Sequence, residues 1–337
     1  MINLLEKLTC FPAVSGNEYA LRDFIINQVS PFAECSVDKG GNLICFKKGK
    51  KAPLKKIMID AHMDEVGIIA TSFTSDGFVK FETVGGIDTA VMLCRSVVFQ
   101  NGVKGVVGLK PVHLCKGDDK KKLPDTDSLY IDIGAKNEDE AKSLINLGDT
   151  AVFESEFTKL SKDTIKARAI DDRVGCAILI NLLKRDAEYD FYGVFSRMEE
   201  VGLRGARTAA FDLDPDAAIV LEATTAADLH GIDEENTVCK LGFGPAISFM
   251  DRSTLYDRRL FDAAINSSVK NQVKSAVAGG NNAGAIHLSK GGVPTLAISV
   301  PCRYIHSPSC VCSIEDIENA FLLAKEMLEK IASGKIL

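Results

Sequence analysis

Five short stretches set histidines and carboxylates beside apolar runs: "AHMDEVG" with His62 and Asp64, "AIDDR" with Asp171 and Asp172, "SRMEEVG" with Glu199 and Glu200, "IVLEATT" with Glu222, and "RYIHSP" with His306. Four of them follow segments that read as buried strands; Asp171 and Asp172 stand just before a helix. In open α/β sheets the carboxyl ends of the strands meet at one place, so these groups, distant in sequence, are expected to converge. Converging acids repel unless a cation sits among them. His62 and His306 offer neutral nitrogens, and Asp171, Glu200 and Glu222 offer oxygens. One catalytic zinc takes three protein ligands and keeps an open position. Five ligands suit two divalent ions about 3.5–4 Å apart, sharing one carboxylate and one water. Asp64, two residues past His62, shares its face on an extended chain and can accept the free imidazole N–H. Glu199 and Glu200 point to opposite faces of an extended chain, so each is free to have its own task.

Each group alone has a plainer reading: an N-cap for the aspartates, a solvated loop for the glutamate pair, an exposed strand end for Glu222. The five together carry the metal reading. Other chemistries find less support. The chain has no G-x-S-x-G elbow and no phosphate-binding G-x-x-x-x-G-K-[ST]. "GGNNAG" follows no clear strand, and neighbouring glutamates facing apart are a poor glycosidase pair. His113, His230 and His287 read as structural, although His113, in "KPVHL", could reach a neighbouring site.

The elements that must position the ligands can be read from the pattern. "KIMIDAHMDEVG", "DFYGVFSRMEE", "DAAIVLEATT" and "GVPTLAISVP" read as strands. "DDRVGCAILINLLKRD" and "SIEDIENAFLLAKEMLEKI" read as helices, the second with Ser313 as N-cap. Ser15 and Glu18 have capping-box spacing ahead of another helix. Alternating helices and strands predict an α/β fold, a mostly parallel mixed sheet between helices. From Val66 to Lys162 the character changes to short β-type runs, with Asp76-Gly77 and Asn101-Gly102 as hairpin turns. We therefore expect a catalytic domain of residues 1–65 and 163–337 interrupted by an all-β, barrel-like domain of residues 66–162. The mixed-charge run "DDKKKLPD" reads as an exposed loop within it.

The 337 residues include 46% hydrophobic and 26% charged side chains, the balance of a soluble globular protein. A net charge of −6 without a dense basic face argues against nucleic acid as a partner. No run is long enough to span a membrane. Ten cysteines without a C-x-x-C pair, and an N-terminus unlike a signal peptide, predict a cytoplasmic protein with reduced thiols.

"AHMDEVG", "AIDDR", "RMEEVGLRGA" and "RYIHSP", in this order over nearly the whole chain, resemble the cocatalytic metallo-aminopeptidases of the glutamyl aminopeptidase and tetrahedral (TET) type. The resemblance implies hydrolysis of N-terminal residues from short peptides with two divalent ions per chain, zinc, cobalt or manganese. It implies His62 as ligand of one ion, Asp171 as bridge ahead of a cis peptide to Asp172, and Glu200 and His306 as ligands of the second. Glu199 becomes the general base and Asp64 the acid that orients His62. It also implies dimers that form through the β domain and assemble into a dodecamer. The chain departs from the family pattern where Glu222 replaces an aspartate ligand, where Asn281 and Asn282 replace a threonine and an acid, and where Cys310 replaces a glutamate. Two other readings stand beside this one: a deacylase or carboxypeptidase on the same metal centre, and a catalytically silent assembly protein of the same fold.

Overall fold

The computed structural model describes residues 1–115, 117 and 122–337. Residues 118–121 of the mixed-charge run lie outside the described residues. In chain order the described strands are β1 Glu34–Val37, β2 Leu43–Lys47, β3 Ile57–His62, β4 Gly67–Phe73, β5 Val79–Val84, β6 Ser96–Phe99, β7 Lys104–Gly108, β8 Tyr130–Asp132, β9 Thr150–Phe153, β10 Thr158–Lys159, β11 Thr164–Ala167, β12 Phe191–Ser196, β13 Ala217–Thr225, β14 Ala246–Ile247, β15 Gln272–Val273, β16 Thr295–Arg303 and β17 Cys310–Ser313. One large sheet runs β1-β2-β12-β3-β13-β16-β17-β11-β10, with β14 paired to β16 and β15 to β14. The strands β4 to β9 close a separate barrel in the order β4-β5-β8-β7-β6-β9.

Parallel pairing along the main path is confined to the centre of the large sheet, β12-β3-β13-β16; both edges are antiparallel. The central strands are the near-continuous apolar runs, as strands covered on both faces must be. Their side chains alternate between two cores. Ile57, Ile59 and Ala61 of β3 pack with the helices Ile170–Lys184 and Ile314–Ala332. Met58 packs on the other side with alanines of the helices Arg204–Leu213 and Ala283–Ile286. Parallel register then levels the carboxyl ends: Ser196 lies beside His62, and Val220 beside Asp60, two residues short of Glu222.

The barrel has its own core, including Phe81, Phe99, Ile131 and Phe153. Its two hairpin turns fall where the Asx-Gly pairs predict, with Gly77 at φ 87° and Gly102 at φ 90°, a backbone region that glycine enters without strain. The chain leaves the barrel at Phe153, and Thr158–Lys159 already pairs with β11 in the large sheet.

Local capping signals are overridden by tertiary partners. The helix Tyr19–Val29 forms, but without the Ser15/Glu18 capping box. Ser15 donates its hydroxyl to Asp64 (2.6 Å), and the fully buried Glu18 takes Arg197 Nε (2.5 Å). Ser313 does precede its helix, yet its hydroxyl makes no cap bond. An additional helix, Ile2–Thr9, was not legible in the pattern; it packs Leu5 and Leu8 into the main core.

Candidate metal centre

Five different segments of the chain deliver the ligating groups, Glu200 coming from the turn after β12. His62 is the last residue of β3 and is 1% exposed. Glu222 lies inside β13 rather than at its end, on a face shared with Ala218 and Val220. Asp171 opens the helix Ile170–Lys184, where the Asp171-Asp172 peptide is cis and the dihedrals of both residues are non-helical. His306 stands three residues beyond β16 at φ 58°. Side chains with a Cβ rarely adopt that region, and functional sites concentrate such residues.

Asp171 sits between the two histidines. Its Oδ1 is 3.2 Å from His62 Nε2 and its Oδ2 is 3.2 Å from His306 Nε2. Glu222 Oε1 flanks His62 Nε2 at 3.5 Å, and Glu200 Oε1 flanks His306 Nε2 at 3.4 Å. The five side chains thus fall into two overlapping halves that meet at one carboxylate. Both imidazoles are held from behind by carbonyls: His62 Nδ1–H donates to Asp64 O (3.0 Å) and His306 Nδ1–H to Gly86 O (2.8 Å). These bonds leave both Nε2 lone pairs facing the acids. Gly86 follows the barrel strand β5, so the barrel helps to orient the site.

Asp172 also lies close to His62 and Glu222, with ligand atoms within 4.8 Å of theirs. Its oxygens are already used, however. Oδ1 takes the Gly175 amide (2.9 Å) and Oδ2 the His62 amide (3.2 Å), pinning the end of β3 to the start of the helix. A Cβ at Gly175 would come within 2.3 Å of that carboxylate, which explains a glycine there. Glu65 adds a second tie, taking Arg168 and Arg173 (2.5 and 2.9 Å) in an almost fully buried cluster. Asp64 is fully buried, and its carboxylate gathers the amides of Glu199 (3.0 Å) and Glu200 (3.1 Å) besides the Ser15 hydroxyl. Its Oδ1 is 3.4 Å from His62 Nδ1, farther than its own carbonyl. Orientation of His62 therefore runs mainly through the backbone of Asp64.

The glutamate pair does not lie on an extended strand. β12 ends at Ser196, and Met198, at φ 55°, turns the chain before the pair. The alternation argument gives way to this turn, which directs both amides at Asp64. The two side chains still part: Glu200 goes to His306, whereas Glu199 lines the adjoining cavity and makes no side-chain hydrogen bond among the described residues.

Electrostatics makes the cluster a strong cation attractor. Burial pushes the Glu199 carboxyl up to about 8, with Glu200 and Asp171 adding to it against the opposing pull of His62. Burial and the Asp171 charge do the same to Glu200, also up to about 8. Burial and nearby acids raise Glu222 well above the carboxylate range. Burial works against charge on His306, but Asp171 and Glu200 outweigh it and raise the imidazole to about 10. Asp171, buried but bonded by both histidines, is held far below its usual value. Glu200 Oε1 is a buried oxygen with no hydrogen-bond partner among the described residues. Mixed nitrogen and oxygen donors, an orphaned oxygen and crowded acids together fit divalent transition-metal ions.

The ligands line a cavity of about 200 Å³ whose lining also includes Thr225, Val238, Lys274, Gly279 and Ile305. A larger cavity of about 690 Å³ lies elsewhere, between Asp38, Arg207, Phe211 and Leu288, and is lined by neither histidine nor glutamate.

The sequence profile of the M42 glutamyl aminopeptidase family matches residues 41–323. The chain belongs to the M42 peptidase family. It is an aminopeptidase, a peptide hydrolase. A protein of Acetivibrio thermocellus with a provisional aminopeptidase name is 40% identical over 97% of this chain and 98% of its own. The lysyl aminopeptidase of Pyrococcus furiosus is 32% identical over 97% of this chain and 96% of its own. Among solved structures, a TET aminopeptidase from the marine sediment archaeon Thaumarchaeota archaeon SCGC AB-539-E09 superposes with a TM-score of 0.93 at 34% identity, covering 98% of this chain and 96% of its own. The Pyrococcus horikoshii TET1 peptidase, described as assembling into a tetrahedron or a large octahedral shell, gives 0.83 at 32% identity over 98% and 99%.

All seven residues singled out for the aminopeptidase, His62, Asp64, Asp171, Glu199, Glu200, Glu222 and His306, lie at or directly against this cluster. The departure at Glu222 leaves its oxygen within reach of His62. Asn282 is fully buried and donates to Asp60 (2.6 Å), and Asn281 donates to the Tyr256 hydroxyl (2.9 Å). His113 and His230 are exposed and are not among the residues lining the cavity, and His287 Nδ1–H bonds the Ala283 carbonyl (2.7 Å). Sequence reasoning did not find Lys274 or Gly86. A lysine near a two-residue strand and a loop glycine carry no spacing signal.

Proposed function

We propose that the chain is a dinuclear metallo-aminopeptidase acting on short peptides with a free N-terminal amine. The observation that carries this reading is the pair of 3.2 Å contacts from the two oxygens of Asp171 to the Nε2 atoms of two different histidines. His62, Asp171 and Glu222 would hold one ion, and His306, Asp171 and Glu200 the other, with zinc, cobalt or manganese fitting the donor set. When bound, two such ions supply Lewis acidity toward the scissile carbonyl and a nucleophilic water at neutral pH.

Glu199 does the proton work. Its carboxylate faces the cavity free of other bonds, accepts the proton of the attacking water and delivers it to the departing amine nitrogen. Asp64 holds the Glu199 and Glu200 amides and, through its carbonyl, His62; this keeps base and ligands in register. A cavity of about 200 Å³ has room for the end of an extended chain and not for a folded protein.

The chain works as a homo-oligomer, built through the inserted barrel into dimers and then a dodecamer; the assembly described for the P. horikoshii relative supports this. Its ten free thiols, six of them buried, suit the reducing cytoplasm. No helix among the described residues is long and apolar enough to cross a membrane. The N-terminal residue preferred is open at the family level, since a family described as glutamyl includes a relative named lysyl.

A panel of aminoacyl p-nitroanilides and their N-acetylated counterparts tests the reading. The free-amine set is expected to be cleaved and the acetylated set left intact. Cleavage of acetylated substrates instead would favour a deacylase, and cleavage only from the carboxyl end a carboxypeptidase. Failure on every substrate with Zn²⁺, Co²⁺ or Mn²⁺ supplied would favour a silent assembly protein.

A further inference from the structure

β1 and β2 form an antiparallel hairpin at one edge of the large sheet, and each carries a cysteine. The register sets Cys35 directly opposite Cys45. At the tip of the hairpin the Asp38 amide donates to Asn42 O (3.1 Å). Counted back from that bonded pair, Cys35 and Cys45 form a non-hydrogen-bonded pair, the kind in which facing side chains come closest. Their sulfurs are 3.1 Å apart. The Cα spacing of such pairs lies within the range that a disulfide spans, and the sulfurs need to close by only about 1 Å to bond.

The two thiols differ in the way an oxidisable pair requires. Cys35 is partly exposed, whereas Cys45 is fully buried in the main core. The neighbouring Cys45 thiol holds Cys35 below the usual thiol range against the effect of burial, while Cys35 and burial push Cys45 up. Cys35 is therefore the sulfur that ionises first and meets solvent, with Cys45 as the partner behind it. Other cysteines lack one feature or the other. Cys302 faces Cys312 across β16 and β17 and also contacts Cys310, but all three are buried. Cys10 and Cys94 are exposed, but neither contacts a second thiol among the described residues.

We propose that Cys35 and Cys45 are an oxidation site that closes a disulfide when the protein meets hydrogen peroxide. The Cys35 thiolate attacks one peroxide oxygen, the O–O bond breaks and hydroxide leaves, so that Cys35 becomes a sulfenic acid. The Cys45 sulfur then attacks the Cys35 sulfur, the S–O bond breaks, and the oxygen departs as water with the Cys45 proton. Two thiols lose two electrons and two protons, and one peroxide becomes two waters. The new bond fastens the edge strand β1 to β2. It also braces the hairpin tip, where Gly40 O takes Arg197 Nη1 (2.9 Å) and Asn42 Oδ1 takes the Arg197 amide (3.0 Å), two residues before Glu199. The inference stands apart from the aminopeptidase reading, since every readout of its test comes from the thiols and the hairpin.

Trypsin cuts after Lys39, between the two cysteines, so a link joins the peptides 23–39 and 40–47. Full-length protein treated with hydrogen peroxide, alkylated at its remaining thiols and digested is expected to yield that joined pair, lighter than the two peptides by two hydrogens. Dithiothreitol should release it. Amide hydrogen exchange across β1 and β2 should slow by about tenfold to a hundredfold in the linked protein, the effect of closing so short a loop. Cys45→Ala should instead leave Cys35 as a sulfenic acid that dimedone captures, and Cys35→Ala should leave Cys45 a free thiol. A cooperative thermal transition certifies that each variant is folded. The proposal is overturned if wild-type Cys35 stays unreacted, bonds a different cysteine, or goes on to a sulfinic acid while Cys45 remains free. Exchange that is unchanged in the linked protein overturns the fastening of the edge strand.

Discussion

Glu199→Gln is expected to lower kcat by about 10²- to 10⁴-fold, the usual worth of a general base, while the protein keeps its full complement of divalent ions. The substitution is nearly isosteric. Its backbone amide still reaches Asp64, and no side-chain bond within the protein is broken, because the Glu199 carboxylate makes none among the described residues. What is lost is the site that takes a proton from water and returns it to the amine. The measurement is steady-state turnover of an aminoacyl p-nitroanilide together with elemental analysis of the purified variant. An ion lost from Glu199→Gln would make Glu199 a ligand and leave the proton transfer unassigned.

Asp171→Asn is expected to reach further, emptying both halves of the centre and reducing turnover to background. Asp171 alone touches both histidines, one through each oxygen. An amide offers one acceptor oxygen and no charge, so at least one half loses its shared ligand, and the other loses the anion that binds it. The flanking acids predict a different pattern. Of the two histidines, Glu222 contacts only His62 and Glu200 only His306, so Glu222→Gln and Glu200→Gln should each release one ion. Thermal unfolding of the metal-free proteins separates ligand loss from misfolding. Retention of both ions by Asp171→Asn would show that the two halves do not share this carboxylate.

Much of this centre was legible before any coordinates, for reasons that can be traced to particular residues. His62 and Glu222 belong to apolar runs long enough to read as buried strands, and parallel strands align their carboxyl ends. The Asx-Gly hairpins of the barrel were equally clear, since the turn chemistry is local. Signals that depend on distant partners were not. Ser15 and Glu18 have the spacing of a cap, but a buried aspartate and a buried arginine compete for them and win. Glu199 and Glu200 look like strand residues until Met198 turns the chain. The antiparallel edges of the large sheet are short strands such as Glu34–Val37, whose exposed side chains give little periodic signal. The support that Gly86 lends to His306 joins residues 220 positions apart and involves only a carbonyl. No residue type encodes such a contact.

The most direct test of the central claim, that two ions held about Asp171 drive removal of N-terminal residues, is a metal titration. Chelated protein is returned to Zn²⁺ or Co²⁺ in measured increments while cleavage of a free-amine aminoacyl p-nitroanilide is followed. The account predicts an inactive chelated protein whose activity rises to a plateau at about two equivalents per chain, as a cocatalytic pair requires. Full activity after chelation, or a plateau at one equivalent, would contradict it.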